Sequence, residues 1–193
     1  MKVFLGGEGR TELGDWDKEA PYRPKPGERA EPGVLLRSEP EIVGAARWSS
    51  LRKYQVGGFR KGKASSEVQN VRRLALQASE SGASLLVFTR DRDGDEQRQR
   101  DVEEGIEAVR HKYDGLNVVG AMAIEAIEAW ILLVRGDRKA EGYTRPKDKL
   151  HELGIADTPA IVRELERRGL EAVAKTTQFA RFVDELRARD EGS

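Results

Sequence analysis

The chain contains no cysteine among its 193 residues. This absence excludes disulfide bonds and thiolate metal sites, and it fits the reducing interior of a cell, so we expect a cytoplasmic protein. Histidine is also scarce, with only His111 and His151 in the sequence.

Long apolar runs are missing as well. No stretch approaches the length that a membrane-spanning helix needs. The apolar residues at the start, Met1–Leu5, give way at once to Gly-rich polar sequence and are too few for the apolar core of a signal peptide. We therefore expect no membrane as a partner.

The sequence has no excess of charge of either sign. Its 34 lysines and arginines balance 34 aspartates and glutamates. Binding to nucleic acid must therefore depend on local segregation of charge, because the protein as a whole is not basic.

Alternating strand and helix patterns predict an α/β fold in one domain that covers residues 1–193. Such alternation is typical of a mostly parallel central sheet flanked by helices on both faces. Short apolar runs predict strands at Lys2–Leu5, Val34–Arg37, Ser84–Thr89 and Leu116–Gly120. For residues 41–48 the pattern fits a strand or a short helix, and this choice stays open.

Helical spacing of apolar residues predicts the elements between these strands. One helix begins at Ser66, with Ser65 or Ser66 as its N-cap, and stops at Gly82. A second follows Asp95 and runs to about Tyr113. Later helices are predicted over residues 124–134 and with ends near Leu150, Arg168 and Arg189. Residues 14–40 hold most of the prolines and are predicted as a loop region, and residues 188–193 as a short tail.

Carboxylates follow two of the predicted strands. Glu8 lies between glycines after the first strand, and Asp91, Asp93 and Asp95 follow the strand that ends at Thr89. Ligands of open α/β sheets bind beyond the carboxyl ends of the strands, and carboxylate oxygens are the ligands that Mg²⁺ prefers. The pattern predicts a magnesium site. The alternative is a polar turn in which Asp95 caps the following helix.

Other binding motifs are excluded by single residues. A calcium loop would need glycine where Glu96 stands and glutamate where Val102 stands. A dinucleotide-binding turn would need a third glycine in place of Glu12, and a P-loop would need Gly-Lys-Ser/Thr.

Glu128 lies at the edge of the apolar stripe of its predicted helix, near Ile124, Ile131 and Leu132. Burying a carboxylate among such neighbours without a partner costs roughly several kcal/mol of folding free energy. A metal ion or an arginine should therefore face it. Trp130 belongs to the same stripe and is predicted to pack in the core.

Three acidic elements occur in an order that resembles the Toprim (topoisomerase-primase) fold. They are Gly7–Glu12, Asp91–Asp95 and Ile127–Leu133. Within that fold the chain is similar to small proteins related to the overcoming-lysogenization-defect (OLD) nucleases. The Pro-Lys element at Arg145–Leu150 and the closing helix at Gln178–Arg187 also resemble that group.

The resemblance implies phosphodiester chemistry with Mg²⁺ or Mn²⁺ as cofactor. It implies that Glu8 serves as a metal ligand or general acid/base and that Asp91 and Asp93 hold the metal, with Asp95 assisting. It further implies that Glu128 completes a second metal position and that Lys147 neutralises charge on the scissile phosphate.

A basic segment predicts a polyanionic partner, DNA or RNA. No acidic residue occurs between Ile42 and Ser66. Aromatic residues separate its basic ones, as in many single-strand binding surfaces. The basic residues are Arg47, Arg52, Lys53, Arg60, Lys61 and Lys63, and the aromatic residues are Trp48, Tyr54 and Phe59. The alternative is a solvated hairpin whose aromatics cover the core.

The resemblance implies a Mg²⁺-dependent nuclease or related phosphoryl-transfer enzyme that acts on nucleic acid as the expected function. The alternative is a non-catalytic module that binds nucleic acid or protein, of a phage-defence or toxin-type system. A second copy of the chain or a protein from the same operon is then the alternative partner. A third interpretation is a purely structural acidic turn.

If the basic segment follows a phosphate backbone, replacing Arg60, Lys61 and Lys63 with glutamine should weaken binding of all sequences about equally. The dependence of log affinity on log salt should flatten by roughly 0.7–0.9 per lost contact. Binding titrations at several salt concentrations measure this slope. An unchanged slope would mean that the segment is only a solvated surface.

Overall fold

A parallel sheet of four strands forms the centre of the described part of the chain. In this computed structural model the strands are β1 (Lys2–Gly7), β2 (Glu41–Arg47), β3 (Leu85–Asp91) and β4 (Asn117–Ala123). Their order is β2-β1-β3-β4, and every neighbouring pair is parallel. The predicted α/β class with a parallel sheet is confirmed.

The structure describes residues 1–16, 41–53, 64–110, 112–124, 127–155, 157–168 and 178–190. The strand predicted at Val34–Arg37 and most of the proline-rich region lie outside these ranges. Residues 41–47, for which the sequence left strand and helix open, form a strand because they pair with β1 from Lys2↔Glu41 to Gly7↔Arg47.

The described residues contain α-helices between and after the strands. They are α1 (Arg10–Leu13), α2 (Ser66–Glu80), α3 (Glu96–Val109), α4 (Ile127–Val134), α5 (Pro146–Glu152), α6 (Thr158–Arg168) and α7 (Gln178–Asp190). Within these ranges no helix has both the length and the apolar character that crossing a membrane requires.

A local signal accounts for the start of α2. The Ser65 side chain accepts a hydrogen bond from the Val68 amide, so Ser65 is the N-cap of α2. By contrast, α3 ends at Val109 and not near Tyr113, because the chain turns there towards β4. Residues 188–190, predicted as part of a tail, belong to α7.

The two faces of the sheet carry separate apolar clusters, because successive side chains of a strand point in opposite directions. Val3, Leu5 and Val87 pack towards α4–α7. Phe4 and Leu86 point the other way, towards α2 and α3. Helices therefore cover both faces of the sheet, as predicted.

Trp130 is the largest side chain of the first cluster. It is buried and stacks on Phe179 and Phe182 of α7, with ring centroids 4.9 and 5.6 Å away. Its predicted place in the core is confirmed. This packing joins α4, which carries Glu128, to the last helix.

A buried carboxylate also holds α4 in place. Arg135, just after α4, lies 2.6 Å from Glu164 of α6, and Arg167 and Arg168 bind the same carboxylate. Burial acts to raise the pKa of Glu164, but the three guanidinium groups outweigh it and lower the pKa below its ordinary value.

The strand order determines where a ligand can bind. In the doubly wound order 2-1-3-4, the crevice lies beyond the carboxyl ends of β1 and β3, where the chain connections diverge to the two sides. Val3↔Leu85 to Gly6↔Phe88 are paired, so these two strands end side by side.

Gly120 of β4 makes room for the Phe88 ring. A Cβ at residue 120 would lie 2.3 Å from Phe88 Cζ, closer than real contacts allow. We expect Gly120→Ala to lower the free energy of unfolding by about 1–3 kcal/mol through overpacking. Chemical denaturation measures this loss.

Gly142→Ala is the matched control, because a Cβ at residue 142 has no neighbour within 4 Å. We expect this change to alter stability by less than about 0.5 kcal/mol. Equal effects of the two substitutions would show that the Phe88 ring adjusts without cost.

Candidate functional site

A cavity of about 460 Å³ opens at the carboxyl end of β3. Carboxylates that the sequence predicted as metal ligands line it from two distant parts of the chain: Asp91 at the end of β3, Asp93 just after β3, and Glu128 in the first turn of α4. The other lining residues come from the start of α5 and the residues before it: Thr144, Arg145, Pro146, Lys147 and Asp148. Four of the predicted site residues therefore meet around one space.

Glu8 reaches the same strand end from β1. Its Oε1 accepts a hydrogen bond from the Asp91 backbone N–H at 3.0 Å, and the carboxylate forms an ion pair with Arg90. Glu8 is not among the residues that line the cavity. The structure thus places its carboxylate beside the main chain of Asp91.

One of the two hydrogen bonds of a capping box holds the turn that carries Glu8. Gly9 occupies the N-cap position of α1, and its N–H donates to Glu12 Oε2 at 2.9 Å. Glu12 is buried and stands at the third position of the helix. The residue that excluded a dinucleotide-binding turn in the sequence therefore stabilises the turn around Glu8.

Asp95 caps a helix. Its Oδ1 accepts from the Gln97 and Arg98 amides at 3.0 and 3.2 Å, at the start of α3. It is exposed and does not line the cavity. Asp95 thus occupies the helix-capping position that the sequence offered as an alternative. Its predicted assistance to metal binding stays a prediction.

Asp93 stands at a backbone position that is unusual for a residue other than glycine. Its φ is 51°, followed by 72° at Gly94. Aspartate visits this left-handed region more easily than most residues. Its Oδ2 lies 2.6 Å from Arg98 Nη1.

A network of charged side chains lies behind the carboxylates. Glu67 of α2 lies 3.4 Å from Arg90 Nη2 and 3.7 Å from Arg98 Nε, and it accepts a hydrogen bond of 2.8 Å from the Trp48 indole N–H. The Arg90 guanidinium also lies 5.7 Å from the Trp48 ring centre. This network ties Glu8 and Asp93, through Arg90 and Arg98, to the same partly buried carboxylate, that of Glu67.

The environment of Arg90 changes its acidity. Burial and the nearby charge of Arg98 lower the pKa of Arg90, whereas Asp93 and Asp91 act to raise it. The guanidinium stays charged, because arginine titrates far above neutral pH. Arg90 therefore supplies permanent positive charge beside Glu8.

Sequence reasoning missed Arg90, Arg98 and Glu67. The only available signal is positional, since Arg90 stands between Thr89 and Asp91 at a strand end and Glu67 opens a helix. Nothing in the sequence indicates which of many arginines pairs with which carboxylate.

The donor set suits a hard divalent cation. Asp91, Asp93 and Glu128 offer only oxygen ligands, which Mg²⁺ and Mn²⁺ prefer. In the described ranges, however, no three acidic, histidine or cysteine side chains are close enough together to form a metal-binding group. The residues fit the cation in chemistry, and their present spacing is wider than a complete ligand set requires.

Two basic side chains, Arg145 and Lys147, also line the cavity. Lys147 is exposed, and Arg145 lies 3.6 Å from Asp148 in an exposed ion pair. Tyr143, just before these residues, donates a hydrogen bond of 2.8 Å to Asp137 and so fixes the chain there. This hydrogen bond raises the pKa of Tyr143. Two basic side chains and four carboxylates, those of Asp91, Asp93, Glu128 and Asp148, thus line one cavity.

Only part of the predicted nucleic-acid surface lies within the described residues. Arg47 ends β2 beside Gly7, at the carboxyl edge of the sheet. Arg52 and Lys53 belong to the 3-10 helix Trp48–Lys53. Arg60, Lys61 and Lys63 lie outside the described ranges.

Trp48 has a structural position in this region. It is buried and lies 5.6 Å from the Phe88 ring, between centroids. Trp48 therefore packs against the core. This agrees, for Trp48, with the alternative prediction that the aromatic residues of the basic segment cover the core.

Comparisons of the chain with protein-family models, with curated proteins and with solved structures find no match. The functional argument therefore depends on the geometry of this site.

Replacing Arg90 with glutamine should destabilise the fold, because Glu8 and Glu67 would lose a shared and largely buried cation. We expect the free energy of unfolding to fall by about 1–3 kcal/mol. Arg110→Gln is the control, because the Arg110–Glu107 ion pair is exposed and should contribute less than about 1 kcal/mol. Denaturation of both variants tests this difference, and equal losses would contradict a supporting role for Arg90.

Proposed function

We propose that the protein is a Toprim-like, Mg²⁺- or Mn²⁺-dependent nuclease or related phosphoryl-transfer enzyme that acts on nucleic-acid phosphodiesters. The observation that carries this proposal is the shared cavity, which is lined by Asp91, Asp93, Glu128 and Lys147. Carboxylates that share a cavity with a basic side chain suit a site where a cation and a phosphate group bind together.

Asp91, Asp93 and Glu128 are the residues that would hold the cation. When bound, a divalent cation polarises a phosphoryl oxygen and lowers the pKa of bound water. Lys147, which lines the same cavity, would contribute positive charge towards the phosphate. Glu8 supports the site from behind through the Asp91 amide, and it is the remaining candidate for a ligand or general acid/base.

A non-catalytic binding module is the second candidate function. The favouring observation is that Arg90 and Arg98 already pair with Glu8 and Asp93. These arginines compensate the charge of the two carboxylates without a metal cation, as a site that only binds a partner or supports the fold would require. The partner would be nucleic acid, a second copy of the chain or another protein.

Calorimetric titration with Mg²⁺ and Mn²⁺ tests the proposal. We expect the wild type to bind, and Asp91→Asn and Glu128→Gln each to weaken binding about tenfold or more, because each removes a charged ligand. Asp114→Asn is the matched control, since Asp114 is exposed in the turn before β4, at the opposite edge of the sheet. It should leave the affinity unchanged.

Cleavage of single- and double-stranded DNA and RNA then separates the two candidates. The proposal expects cation-dependent cleavage that Glu8→Gln and Lys147→Gln slow without a comparable loss of nucleic-acid binding. Cation binding with no cleavage of any substrate would favour the binding module. Absence of cation binding by the wild type would exclude the proposed function.

A further inference from the structure

Arg98 contacts the acidic loop, residues 91–95, at three points. Its Nη1 lies 3.0 Å from the Asp91 carbonyl oxygen, 3.0 Å from the Arg92 carbonyl oxygen and 2.6 Å from Asp93 Oδ2. Only 21% of its side chain is exposed. One guanidinium group therefore binds both the main chain and the carboxylate of the loop between β3 and α3.

This loop has a backbone that needs such support. Asp93 and Gly94 both have positive φ angles, and a residue other than glycine held there costs about 1 kcal/mol or more. Two further hydrogen bonds shape the loop, from the Arg92 N–H to the Ala123 carbonyl at 2.8 Å and from the Asp95 N–H to the Arg92 carbonyl at 3.0 Å.

Arg98 is itself fixed from two sides. Asp95 caps its backbone N–H at 3.2 Å, and Glu67 lies 3.7 Å from its Nε. The loop and the first turn of α3 therefore hold each other, with α2 behind them. These contacts hold the Arg98 side chain in one position, as is usual for groups that orient metal ligands.

We propose that Arg98 is a positioning residue that orients Asp93 and the loop 91–95 for a divalent cation in the cavity. The proposal rests on the proposed function. Arg98 engages Oδ2 of Asp93 and leaves Oδ1 as the oxygen for the cation. Groups that orient metal ligands in this way typically contribute about 10–100-fold in metal affinity.

The opposing interpretation is that Arg98 competes with the cation for the Asp93 carboxylate. In that case Arg98 must leave Asp93 before the cation binds. The geometry favours positioning, because two of the three acceptors are main-chain carbonyls. Those two bonds persist when a cation compensates the Asp93 charge. A side chain that only competed for the carboxylate would not need them.

The first test uses the metal-free protein. Arg98→Gln should speed hydrogen exchange of the Arg92 and Asp95 amides by about tenfold or more, because it removes the bonds that close the loop. Arg100→Gln is the matched control on the same helix, since its ion pair with Glu96 is exposed and 3.9 Å long. It should leave exchange of both amides unchanged. Unchanged exchange in Arg98→Gln would overturn the loop-holding role.

The second test measures Mn²⁺ and Mg²⁺ affinity by calorimetry. Arg98→Gln should weaken binding by about 10–100-fold, Arg98→Lys by less, and Arg100→Gln not at all. In an Asp93→Asn background the effect of Arg98→Gln should shrink, because the orienting contact acts through Asp93. A merely structural role would give additive effects.

The outcomes separate the inference from the proposed function. Wild-type affinity or tighter binding in Arg98→Gln overturns positioning and supports competition, while the proposed function stands. Additive effects in the double variant also overturn positioning. If the wild type binds neither cation, the proposed function fails, and the positioning role towards a cation fails with it.

Discussion

The parallel pairing of β1 with β3 is the constraint on which the site depends. These strands are far apart in sequence, yet the pairs Val3↔Leu85 to Gly6↔Phe88 end them at the same edge of the sheet. Glu8 consequently meets the Asp91 amide at 3.0 Å. A shift of the register by one residue would turn every buried side chain of β1 to the other face and would break this contact. The apolar packing of the sheet therefore also sets the position of the acidic residues.

Charge compensation is the second condition. Carboxylates close together at a partly buried edge repel one another, and the protein places arginines among them. Arg90 pairs with Glu8, Arg98 with Asp93, and Glu67 lies between the two guanidinium groups. The acidic loop is thus supported from the protein interior, while its outer side faces the cavity. This arrangement separates residues that shape the loop from those proposed to bind a cation.

Local patterns predicted much of the fold. The apolar runs before Glu8 and Asp91 are strands, the helix α2 begins at Ser65, one of its two predicted caps, and Trp130 packs in the core. Each of these features depends on neighbours within a few residues, through strand alternation, helical spacing or capping. Residues 41–47 were ambiguous because a short mixed segment becomes a strand only when another strand pairs with it.

For the site, the sequence established which chemistry was available: carboxylates at strand ends, a glutamate beside an apolar helical stripe, and a basic element downstream. The fold settled how those groups are used. Asp95 caps α3, Asp91 and Asp93 share a cavity with Glu128, and Arg90 and Arg98 hold the acidic side chains from behind. With 34 basic and 34 acidic residues, the sequence allows far too many pairings to choose among. Ion pairs form between groups that folding brings within a few ångströms, and that proximity arises from strand order and helix packing.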